Sequence, residues 1–142
     1  MAAATKDTGH GASITFGTSA LAFHWRKIGK VTKTRGKLDD SDLSNANGNK
    51  TYVFEDLAEP GEVEVEFLFD PTAAIPDIHA AAETITITGP VPPGGASAAD
   101  LEGTGAALDV TQSPEFASNG LQVGTLKIAF DGKTGPTHTP AA

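Results

Sequence analysis

Cysteine is missing altogether from this 142-residue chain. That excludes a disulfide framework, a thiolate metal site and a cysteine nucleophile. The four histidines, His10, His24, His79 and His138, stand far apart, and none has a second ligand at metal spacing. No metal and no cofactor is therefore expected. Gly132-Lys133-Thr134 echoes the end of a phosphate-binding loop, but Lys127 occupies the position that needs the loop's first glycine. No serine lies in a Gly-x-Ser-x-Gly elbow. Asn49-Lys50-Thr51 is a glycosylation sequon that has no secretion signal to make it meaningful. With no catalytic constellation, the expectation is a protein that is not an enzyme.

Positive charge, aromatics and long apolar runs are also scarce. Ten basic residues face eighteen acidic ones, a formal net charge of −8. This disfavours a general nucleic-acid binder and favours solubility. There is one tryptophan and one tyrosine beside seven phenylalanines. No apolar run approaches the roughly 18 residues of a membrane helix, so no membrane anchor is expected. The first eleven residues carry an early lysine and no apolar h-region, and are expected not to be a secretion signal. The expected setting is a reducing cytoplasm.

What the chain does have is sixteen glycines, nine prolines and short alternating runs. These are the marks of a single β domain with many turns. Residues 50–71 organise the rest. Glu62, Glu64 and Glu66 alternate with Val63, Val65 and Phe67, the period of a half-buried strand. Tyr52 and Phe54 share one face of a preceding strand, and Pro60-Gly61 suits a type II turn. The expectation is a hairpin with a greasy face and an acidic face.

Elsewhere, strands are expected near Ile14 and Phe16, over residues 20–34 with Gly29 as a bulge, over 84–88, over 99–112 with Leu108 and Val110 inward, and over 121–130. Residues 75–83 offer a short helix: Pro76 fits its first turn, Asp77 favours its dipole, and three alanines follow. The predicted fold is mainly β, a β-sandwich or partly closed β-barrel with one short flanking α-helix. Residues 1–12 read as a flexible arm, 13–131 as the domain, 35–50 as a long polar loop and 132–142 as a loose tail.

Charge is segregated along the chain. Arg26, Lys27, Lys30, Lys33, Arg35 and Lys37 form a run with no acid among them, whereas residues 39–102 hold fourteen acids and only Lys50 as a base. Two solvated faces would account for this. So would complementarity between identical subunits, which makes the six basic residues, with Asp39, Asp40, Asp42 and Leu43, a candidate subunit or inter-ring interface.

The run Tyr52-x-Phe54-x-Asp56-Leu57-Ala58-Glu59-Pro60-Gly61-Glu62-Val63-x-Val65-x-Phe67-x-Phe69-Asp70-Pro71 resembles the signature hairpin of tailed-phage tail tube proteins, the major tail proteins. Asp56-Leu57 stands where that family has Gly-Leu, and Glu59-Pro60-Gly61 where it has Asp-Ala-Gly. The likeness continues in Thr15-Phe16-Gly17-Thr18, in Ile28-Gly29-Lys30-Val31 and in Gly124-Thr125-Leu126-Lys127-Ile128, and covers about residues 13–135. The resemblance implies hexameric rings stacked into a hollow tail tube of a siphophage-type virion or a gene transfer agent. The tube is made in the host bacterial cytoplasm, and genomic DNA passes through it without specific binding. Tape measure, tail terminator and distal tail proteins are the implied partners. It also places Glu62, Glu64 and Glu66 on the lumen wall. A capsid decoration or carbohydrate-binding β-module is the alternative.

Overall fold

The computed structural model describes residues 9–44 and 48–142. Nine strands follow in order: β1 (Ser13–Phe16), β2 (His24–Ile28), β3 (Thr34–Asp39), β4 (Tyr52–Glu59), β5 (Glu62–Leu68), β6 (Glu83–Thr88), β7 (Asp100–Val110), β8 (Val123–Phe130) and β9 (Thr137–Thr139). The described residues are all-β, and the main sheet runs β1-β6-β7-β8-β5-β2 with every pairing antiparallel. β9 pairs with the first residues of β7, on the side that β8 leaves open. β3 and β4 form a second, two-stranded sheet.

Period-two alternation explains the main sheet. Val63, Val65 and Phe67 of β5, Leu126, Ile128 and Phe130 of β8, Ile85 of β6 and Ile14 and Phe16 of β1 all point to one core. The sheet curls until its two end strands approach without pairing, and four rings close the gap. Phe16 and Trp25 lie 6.0 Å apart, Phe23 stacks on Phe67 at 4.5 Å, and Trp25 meets Phe23 and Phe67 edge-on at 5.6 and 5.8 Å. Such pairs add about 0.5–1.5 kcal/mol each beyond area burial. The few aromatics are thus concentrated where the partly closed barrel needs its seam filled.

Several expectations are corrected. Residues 75–83 form no helix. Asp77 accepts a hydrogen bond from the His79 amide at 2.9 Å, and the Ala80 amide donates to the Asp77 carbonyl, a single turn. So short a segment lacks the length to offset helix nucleation, and the aspartate offers its backbone a local turn instead. Residues 69–82 instead cross from β5 to β6 as an irregular strap over one end of the core. β4 and β5 are consecutive but do not pair, so the expected hairpin does not exist. Pro60-Gly61 is a corner, with Gly61 at φ 110°, where the chain passes from the small sheet into the large one. The strand expected over 20–34 is confined to β2, and its bulge lies at Arg26 rather than Gly29. Leu108, expected inward, is exposed at a bulge in β7. The tail is not loose: β9 anchors it, and the Ala142 amide donates to Ser97 Oγ at 3.0 Å. Most of the expected N-terminal arm lies outside the described residues.

Candidate functional site

β2 and β5 are neighbouring antiparallel strands, and beyond Val31, which still packs against the core, the chain between them leaves the barrel as a projection. Gly29 is the last residue of the outgoing chain tied to β5, its amide donating to the Glu64 carbonyl at 2.8 Å. At the return, the Phe130 amide donates to the Gly61 carbonyl at 3.1 Å. Between these points stand β3 and β4, which pack on each other and on no other strand. The first third of what reads in sequence as a long loop, residues 35–50, is therefore β3. Arg35, Lys37 and Asp39 alternate there, but the polar composition hides the strand. Every residue of β4 is exposed.

One face of this arm carries Arg35, Lys37, Tyr52 and Phe54. The Arg35 guanidinium carbon lies 5.3 Å from the centre of the Phe54 ring and Lys37 Nζ 4.1 Å from that of Tyr52, both within cation–π range. The other face carries Leu38 and Val53, with Glu55 packed beneath Gly36. Phe54 remains 59% exposed and Leu57 85% exposed. At the tip, Asp40 and Thr51 bridge through backbone and side chain, and the Thr51 amide donates to Ser41 Oγ at 2.8 Å. Hydroxyl and amide donors of Ser41 hold the Asp39 carboxyl below its usual range, and those of Ser44 do the same for Asp42. Residues 45–47 of the tip lie outside the described residues.

The six basic candidates do not form one face. Arg26 and Lys27 sit on β2 at the barrel's edge, Lys30 and Lys33 on the linker, and Arg35 and Lys37 on the arm. Asp39 ends β3, and Asp40, Asp42 and the fully exposed Leu43 lie in the tip. Glu62, Glu64 and Glu66 do share the outer face of the main sheet, opposite the core. They are not a bare acidic stripe, because Glu62 pairs with Lys127 at 3.3 Å, Glu64 faces Lys127 in register and Glu66 faces Lys27.

Two features escaped sequence reasoning. The cation–π pairs depend on cross-strand register, which a bulged hairpin with a long tip does not reveal. A cavity of about 100 Å³ beneath the strap, lined by Phe16, Leu21, Pro76, Ala80, Ile85 and Ala106 and opening to solvent, depends on the strap not being a helix. The phosphate-loop echo at Gly132-Lys133-Thr134 is a turn whose Asp131 carboxylate accepts from Thr104 Oγ1 and the Lys133 amide. Among the described residues no three His, Asp or Glu side chains are placed to hold a metal ion. Compared with known proteins, the chain matches no family model and no curated sequence.

Proposed function

We propose that this is a structural, self-assembling protein whose subunits associate through the projecting arm. The observation that carries the reading is an eight-residue strand, β4, exposed along its whole length and paired only with β3. A lone two-stranded hairpin is marginal in water. This one also holds Phe54, Leu57, Leu38 and Val53 in solvent, an apolar exposure typical of a surface awaiting a protein partner. Its cations suit an acidic partner, and the chain's own excess of acid provides one.

The resemblance to tail tube proteins gives that assembly a form: hexameric rings stacked into the conduit of a phage or gene-transfer-agent tail, with tape measure, terminator and distal tail proteins as neighbours. DNA would pass along a hydrated, net acidic wall without specific binding. The carbohydrate alternative loses its best platform, since Trp25 packs into the ring cluster. Negative-stain microscopy of the concentrated, purified protein tests the reading. Rings or tubes are expected, and a protein that stays at monomer mass in light scattering at high concentration would sink it.

A further inference from the structure

We infer that the Phe54 ring on the arm of one copy inserts into the apolar cavity beneath the strap of a second copy, with Arg35 meeting Asp77 at the mouth. This rests on the self-assembly reading and gives the arm an address. The cavity holds about 100 Å³ and continues into solvent, with Asp77 and Glu83 among its lining. A closed apolar cavity of about 150 Å³ takes a whole benzene molecule. A smaller, open one accepts a phenyl ring part-way, leaving the outer part of the ring and its cation at the mouth.

Charge selects the occupant. Glu55, next to Phe54 in sequence, lies against Gly36 on the arm's other face, so its carboxylate is turned away from the Phe54 ring and would not meet the acidic rim. Phe54 carries the Arg35 guanidinium over its ring and faces Lys37 in register. Glu83 is fixed in place at that rim, accepting from the Ser19 amide at 3.1 Å and the Ser19 hydroxyl at 2.7 Å. The arm packs on no other strand of its own barrel, which leaves its face open to the cavity of a second copy. An aromatic with an arginine beside it, entering a desolvated pocket, is the usual form of a dominant interface contact.

The absence of cysteine makes the test direct. Chains carrying Phe54→Cys and chains carrying Ala80→Cys are mixed under oxidising conditions well above about ten times the concentration at which the wild type self-associates, because Phe54→Cys itself removes the docking ring. A mixed disulfide holding one of each chain is expected, and Phe116→Cys in place of Phe54→Cys should give none. Assembly without the mixed disulfide overturns the cavity assignment and leaves self-assembly standing. A wild type that never assembles overturns both. Phe54→Ala, checked for unchanged melting, should raise the concentration for half-assembly about tenfold or more. Unchanged assembly of that variant would also overturn the assignment. Arg35→Glu should weaken assembly and Asp77→Arg in the same chain should restore part of it; no restoration counts against the pair.

Discussion

Gly124 sits under the Phe67 ring, and a Cβ placed there would lie 2.8 Å from the ring's Cζ. Phe67 is 2% exposed and held by Phe23 and Trp25, so it has nowhere to swing. Gly124→Ala is therefore an overpacking change expected to cost about 1–3 kcal/mol, read as a lowered Tm. Gly120→Ala is the control, since its Cβ would meet only Ala117 at 3.7 Å. At four turns the residue-scale chemistry is acid–base. Side-chain hydroxyls, Ser41, Ser44, Thr72 and Thr104 respectively, with backbone amides added, hold Asp39, Asp42, Asp70 and Asp131 below the ordinary value of 3.8. A carboxyl depressed on folding stabilises the fold above its unfolded value, and that contribution is lost as pH falls through the folded value. Carboxyl titration by NMR should place all four midpoints below 3.8, with the protection of the Lys133 amide, relative to its intrinsic exchange rate, falling as Asp131 is protonated. Midpoints at or above that value would remove the capping role of these turns.

Among the elements, β5 and β8 were legible in the sequence because every second residue is buried, and β6 because Ile85 and Ile87 alternate with threonines. β3 was not, because a strand that buries nothing carries no hydrophobic period. The expected β4–β5 hairpin failed for a related reason. Pro60-Gly61 specifies a reversal or a corner equally well, and only the tertiary partners decide: β3 for β4, β2 and β8 for β5. The acidic face of β5 was legible, its compensating lysines were not, because they arrive from strands remote in sequence. The arm's independence leads to a prediction. Among the described residues, none of the nine buried core residues lies between Gly29 and Gly61, and Val31 is the one residue there that packs against the core. Joining these two glycines by a short turn should leave a cooperative monomer that no longer assembles. Calorimetry and light scattering read the two outcomes separately. A Tm lower by more than roughly 10 °C would make the arm a structural support of the barrel rather than an assembly element.

For the whole molecule, charge placement decides what the outer sheet face does. Glu62, Glu64, Glu66 and Asp109 are interleaved with Lys27 and Lys127. The face is thus acidic on balance but locally paired, and replacing the three glutamates by lysine would set like charges against Lys27 and Lys127 across neighbouring strands. Such contacts cost several tenths of a kcal/mol each, so a lysine variant would confuse lost stability with altered wall charge. Glutamine avoids this, keeping size and hydrogen bonding while removing charge. If the proposed tube forms with this face on its lumen, each ring repeats the carboxylates at a hydrated wall, where their repulsion of phosphate reaches about 8 Å in physiological salt. Glu62→Gln, Glu64→Gln and Glu66→Gln together should then leave melting and assembly nearly unchanged while slowing passage of DNA. The effect should be largest at low salt, where screening is weakest. Particles carrying the three glutamines that release DNA at the wild-type rate in both high and low salt would place this face on the outside of the tube.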